Sequence, residues 1–199
     1  MNHLAHALLA GSDPDWILGG LLGDFVHGPV PTNLREGVGH GIRLHRAIDV
    51  YTDAHPVVVA LRGRFVPPFR RYAGILIDVW FDHVLARDFA RWSDAPLDVF
   101  SDLVNDLLRR HRDELPPNLQ RFADYMRRAG LPAAYADSAV VGRALAGVGT
   151  RLSRANPLAQ ALPVLQALDA ELRAGFDVFF PDLVAFADRW RSDAIAGRR

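Results

Sequence analysis

The apolar residues of this chain recur with the 3.6-residue period of a helix almost from end to end, and no stretch shows the period-2 alternation of a half-buried strand. That pattern predicts an all-α fold. Its clearest instance is residues 70–91, where Tyr72, Ile75, Leu76, Val79, Trp80, His83 and Val84 share one stripe for most of the segment. Residues 15–26 carry Trp16, Ile17, Leu21, Leu22 and Phe25, and Asp13-Pro14 supplies a cap residue followed by a first-turn proline. A segment over 34–54 runs through Val38, Ile42, Leu44, Ile48 and Tyr51 and closes at His55-Pro56, and 56–66 reads as a short helix broken at Pro67-Pro68. Further helices are expected near 96–112, 116–129, 137–147, 159–179 and 181–195, with Pro96, Pro116-Pro117 and Pro181 at starts and 148–158 as a loop. With no internal repeat, low-complexity block or long linker, residues 1–199 are expected to form a single compact multi-helix domain.

Composition narrows the chemistry. The formal charge is zero, with every basic residue an Arg, which argues against a general nucleic-acid binder needing a large cationic excess. Without cysteine, disulfides and thiolate chemistry are excluded, and any metal must take His and carboxylate ligands. No apolar run approaches the ~20 residues that cross a bilayer. The opening Met1 to His6 lacks a basic region leading into an apolar one, so a cytoplasmic protein with no membrane partner is expected.

The histidines are unevenly placed. Six of the eight, His3, His6, His27, His40, His45 and His55, fall in the first 55 residues, which is where chemistry is sought first. Asp24 shares a helical face with Ile17 and Leu21, where an unpaired carboxylate is costly and needs an Arg, capping amides or a cation; the amides of the Gly28-Pro29 loop are the plainer partner. His45 and Asp49, four apart, project from one face with Thr52 and Asp53 one turn on, as either a surface pair or two ligands. Asp78 and Asp82 flank His83, which by spacing belongs to an apolar stripe, where a histidine is more often a hydrogen-bonded core residue. Taken together, three segments that each offer a carboxylate, two of them also a histidine, match how a helical domain builds a metal site. His6 and Asn2 could face the same cluster, whereas His3 and His27 could be solvated and His40 and His111 read as surface residues. Oxygen and imidazole ligands without sulfur suit Mn, Mg, Fe or Zn and favour phosphate-ester hydrolysis over redox work.

Five motifs carry a resemblance. They are Asn2-His3-Leu4-Ala5-His6; Gly19 to Val26; Gly41-Ile42-Arg43-Leu44-His45-Arg46-Ala47-Ile48-Asp49 running into Thr52-Asp53-Ala54-His55-Pro56; Arg71 to Ile75; and Asp78-Val79-Trp80-Phe81-Asp82-His83-Val84-Leu85-Ala86. Together they resemble the bacterial acyl carrier protein phosphodiesterases, distant relatives of the HD-type metal phosphohydrolases. The resemblance implies an HD-like helical arrangement, a divalent cation, most commonly manganese, and removal of 4′-phosphopantetheine from holo-acyl carrier protein. It places the metal among Asp24, His45, Asp49, Asp82 and His83, with His6 joining them. Two departures bear on this: His3 stands where the family usually has Phe, and Asp82-His83 inverts the His-Asp order of ordinary HD enzymes.

On that reading Asp24, His45, Asp82, His83 and His55 form the catalytic set, with His83 or His55 protonating the leaving alkoxide. Arg43 or Arg46 would neutralise the phosphate. The acidic carrier protein would dock on the acid-free stretch containing Arg62, Arg64, Arg70 and Arg71, or on residues 138–168 with Arg143, Arg151 and Arg154. Two other readings are a related phosphohydrolase acting on a small phosphodiester or nucleotide, and a non-enzymatic helical module. The aromatic group Phe176, Phe179, Phe180, Phe186 and Trp190 reads as core or as a dimer face, leaving the oligomeric state open.

Overall fold

Asp13 starts its helix as the sequence predicts: its carboxylate accepts from the amides of Asp15 (2.8 Å) and Trp16 (3.4 Å), with Pro14 in the first turn. In the computed structural model, which describes residues 1–197, ten α-helices follow one another: α1 (His3–Leu9), α2 (Pro14–Leu22), α3 (Glu36–Ala54), α4 (Pro56–Arg62), α5 (Ala73–Arg87), α6 (Leu97–Arg110), α7 (Pro117–Ala129), α8 (Ser138–Arg151), α9 (Leu162–Ala167) and α10 (Asp169–Ile195). Short 3₁₀ turns join several of them, and no strand occurs among the described residues. No helix among them is long and apolar enough to cross a membrane.

The centre of the molecule is α5. Eleven of its fifteen residues are buried, so it is apolar nearly all round rather than on one stripe. Helices α1, α4, α8 and α10 pack around it. Phe81 of α5 meets Phe176 of α10 edge-on at 5.2 Å, and Phe176 stacks on Phe180 at 4.6 Å. Phe176, Phe179 and Phe180 are therefore core residues.

Helix α10 corrects the expected boundary at Pro181. Residues 169–195 are one helix with the proline inside it. A proline there deprives the Asp177 carbonyl of its i+4 donor. Asp177 and Pro181 are both exposed, so water can serve that carbonyl, and burial of Phe176, Phe180, Leu183 and Ala187 on either side keeps the helix continuous. The expected loop at 148–158 is likewise shorter, because α8 runs on to Arg151.

The contact that shapes the site is the crossing of α2 and α3. A Cβ on Gly19 would lie 2.2 Å from the Val38 carbonyl, and one on Gly41 would lie 2.2 Å from the Trp16 carbonyl. Only glycine at both positions lets the two backbones touch.

Candidate functional site

That crossing brings the Gly20 carbonyl within 2.7 Å of His45 Nδ1. A carbonyl only accepts, so Nδ1 carries the proton and donates, which fixes the tautomer and leaves Nε2 facing outward. Gly23 makes the ring's space: a Cβ there would lie 2.1 Å from His45 Cγ. Nε2 then sits 3.2 Å from Asp49, one turn further along α3, and 3.4 Å from Asp24, in the 3₁₀ turn that ends α2. His6 of α1 stacks on His45 with ring centroids 3.7 Å apart. Its Nε2 approaches the second oxygen of Asp49 to 3.2 Å, yet neither ring nitrogen of this buried residue has an aligned hydrogen-bond partner. One ligand atom each from His6, His45 and Asp49 falls within 4.8 Å of the others.

The charges respond to this crowding. Burial, reinforced by His45 alongside, pushes His6 down to about 3, so it is neutral. Burial also opposes charge on His45, but Asp24 and Asp49 outweigh it and lift it to about 9. Asp24 and Asp49 would rise with burial, yet the imidazoles hold both well below the carboxylate range. The amino group of Met1 lies 3.1 Å from Asp78 and 3.4 Å from Asp49.

Asp82, expected as a ligand, faces the start of α1. It is fully buried, and its two oxygens accept from the amides of Leu4 (2.8 Å) and Ala5 (3.1 Å). It thus caps the first turn of α1, which has no side-chain cap of its own, and holds the helix that carries His6. Burial raises it to about 7, against the pull of those two amides.

His83 is not brought to the cluster: its Nδ1 donates to the Tyr135 carbonyl (2.7 Å) and its ring packs on Trp80, as a core histidine would. His55 lies ten residues beyond His45, about 15 Å along α3, with Nε2 3.4 Å from Asp182 and its ring against Phe179. Among the described residues, the contacts of both rings lead away from the Asp24–His45 cluster, so the geometry lends the expected acid role no support.

Beside the cluster opens a cleft of about 690 Å³, lined by Asp24, Asp78, His3, Asn2 and Tyr135 on the inner side and by Arg121, Phe122, Tyr125 and Arg151 on the α7–α8 side. Phe25, Ile75 and Val79 add apolar wall. Arg43 and Arg46 do not line it: Arg43 is exposed beside Gly39, and Arg46 donates to the Val26 carbonyl (2.7 Å). His3 is half-buried against Phe122 (4.5 Å) and pushed down to about 4 by burial, so it is a cleft residue rather than a solvated one. Of the docking candidates, Arg62 pairs with Asp53 and Arg64 with Glu171, while Arg70 and Arg71 are exposed.

Asp78, His3 and Arg121 were not among the expected site residues, and Arg151 was expected only on a docking surface. Asp78 stood in the motif around Asp82, and Arg151 in a segment without acids, but nothing in either pattern says which helix lies opposite.

An all-helical protein with imidazoles and carboxylates converging at the floor of a cleft defines the class to which the comparisons then give a family. The family model for acyl carrier protein phosphodiesterase matches residues 1–183. An acyl carrier protein phosphodiesterase of Serratia proteamaculans (strain 568) is 33% identical over 92% of this chain and 96% of its own length. One of Escherichia coli O157:H7 is 33% identical over 95% of this chain and 98% of its own. No solved structure matches this one, so the HD-like comparison rests on sequence resemblance. The chain belongs to the acyl carrier protein phosphodiesterase family and is a hydrolase, which sets aside the non-enzymatic reading.

Proposed function

We propose that this protein hydrolyses the phosphodiester joining 4′-phosphopantetheine to a serine of acyl carrier protein, with a divalent cation seated on His6, His45, Asp49 and Asp24. The substrate follows from the name its relatives carry. One observation supports the cation. With Nδ1 of His45 committed to Gly20, a neutral ring would aim its Nε2 lone pair at two carboxylates, 3.2 and 3.4 Å away. A positive charge must lie between them, either a proton on Nε2 or a metal ion. The second imidazole stacked alongside, with no aligned partner for either nitrogen, favours the metal. A backbone carbonyl holding the far nitrogen is also the usual arrangement behind a ligating histidine.

Manganese is the first expectation, and magnesium, iron or zinc accept the same donors. Such an ion supplies Lewis acidity, activating water and offsetting charge on a phosphoryl oxygen. The chain's residues do the rest. Asp82 holds α1 so that His6 stays on the cluster, and Asp24, half exposed at the cleft edge, faces the incoming diester. Phe25, Ile75, Val79 and Phe122 form an apolar wall suited to the methyl-bearing pantetheine arm. In the reaction, water's oxygen bonds to phosphorus, the bond from phosphorus to the serine oxygen breaks, and that oxygen takes up a proton.

The test is incubation with holo-acyl carrier protein and manganese, followed by intact-mass measurement. Loss of the phosphopantetheine mass is expected, abolished by a chelator and restored by added manganese. An unchanged mass sinks the substrate assignment, and turnover that survives exhaustive chelation sinks the metal.

A further inference from the structure

We propose that Arg121 of α7 and Arg151 of α8 clamp the phosphate of the 4′-phosphopantetheine group from the wall of the cleft opposite Asp24. This rests on the hydrolase reading above and names the groups that recognise the anion at that same site. Asp24 and Asp78 line the floor and Asp49 lies behind them against His45 and the Met1 amino group, so a phosphodiester approaching it meets carboxylates. Only part of that repulsion is met by His45, by the Met1 amino group and by a cation; a further positive charge has to come from the other wall. The arginines first expected there are turned elsewhere, Arg46 onto the Val26 carbonyl and Arg43 beside Gly39. Arg121 and Arg151 both line the cavity that Asp24 lines.

The local acids are already spoken for, which leaves the charge of both arginines available. Helix α7 contains a single acid, Asp124, and Arg112 takes both its oxygens at 3.0 Å. Helix α8 contains none, and Asp137 before it accepts from the amide of Ala139. Arg151 also lies 6.0 Å from the centre of the Phe122 ring, whose neighbours include His3 at 4.5 Å and Phe25 at 5.9 Å. The ring is a shelf that steadies the guanidinium beside the cleft. Two planar forks on neighbouring helices suit a tetrahedral group with two or three anionic oxygens.

Isothermal titration of the full-length protein with 4′-phosphopantetheine and with pantetheine, identical but for the phosphate, isolates the effect. The wild type is expected to prefer the phosphorylated ligand. Arg121→Ala and Arg151→Ala should each reduce that preference about tenfold, leave the affinity for pantetheine unchanged, and leave manganese binding unchanged. Arg109→Ala, on an exposed face of α6, should keep the full preference. Misfolded variants would lose both ligands alike, which tells a structural role from phosphate recognition. If the wild type removes the arm from holo-carrier protein yet the double variant keeps its phosphate preference, the clamp is overturned alone. If the wild type neither turns over holo-carrier protein nor binds either ligand, the hydrolase reading falls, and the clamp with it.

Discussion

His45, inside α3, and His55, the residue that caps its end, both lie beside aspartates, and they sit in unlike surroundings. His45 has one nitrogen fixed by a backbone carbonyl, the other facing two carboxylates from two different elements, and a second imidazole stacked upon it. His55 has one distant contact with an exposed aspartate, Nδ1 without a hydrogen bond, and aromatic rings of Phe179 and Tyr51 against its faces. Each also borders a hollow of similar size. The one beside the His45 cluster is the cleft lined by Asp24, Asp78 and arginines, while that beside His55, about 680 Å³, is walled by Ala47, Val50, Tyr51, Phe186 and Trp190. An adjacent aspartate is common to both histidines, so it does not tell them apart. Convergence of several charged groups from separate elements does.

The largest test of that contrast is to empty the crowded end. His45→Ala or Asp49→Ala should abolish manganese binding and reduce kcat by a factor on the order of 10³ or more, with helicity retained by circular dichroism. Near-normal turnover in both would show that the convergence is incidental. Removing Asp82, by Asp82→Ala, should act less directly, because it frees the Leu4 and Ala5 amides and loosens α1 beneath His6. A loss of about 2 kcal/mol in denaturant unfolding and weakened manganese affinity are expected together. Tight manganese binding in a destabilised Asp82→Ala protein would separate the cap from the site.

A subtler break changes none of the cluster's own side chains. Gly23→Ala puts a methyl group where the His45 ring now lies, 2.1 Å from Cγ. The ring must swing off its carbonyl, and manganese affinity should fall by about 10- to 100-fold, measured by titration, while the Asp24, Asp49 and His6 side chains remain. The corresponding change at Gly28, where nothing approaches within 4 Å, meets no side chain, although its φ of +75° strains any residue but glycine. Manganese affinity should be untouched there even if stability drops.

The sequence made the helices, and much of the cluster, legible because both depend on local spacing. Periodicity placed Asp24 and Asp82 on apolar faces and paired His45 with Asp49, and Asp13-Pro14 marked where α2 starts. What periodicity cannot specify is the element across the gap. Asp82 stood on a buried stripe as a ligand would, but a helix N-terminus satisfies a carboxylate equally well, and that is what faces it. His83 followed the same stripe to a backbone carbonyl. Arg43 and Arg46 adjoined His45 in sequence, whereas the guanidiniums lining the cleft, Arg121 and Arg151, come from helices some 75 and 105 residues later. Pro181 misled for the opposite reason: a strong local signal was overridden by apolar burial on both sides of it.

The smallest effect is expected at His55, just past the end of α3. His55→Gln keeps a polar group near Asp182 and loses only a ring packed on Phe179 and Tyr51. Removing those contacts should cost about 1 kcal/mol in unfolding free energy. Turnover of holo-carrier protein and manganese affinity should stay within about twofold of the wild type, a change too small to count as a lost catalytic group. The two measurements divide the possibilities. A stability loss with full activity fits a packing histidine, whereas a kcat loss of tenfold or more at unchanged stability would mean that the far end of α3 takes part in the chemistry, and that a single aspartate beside a histidine was signal enough.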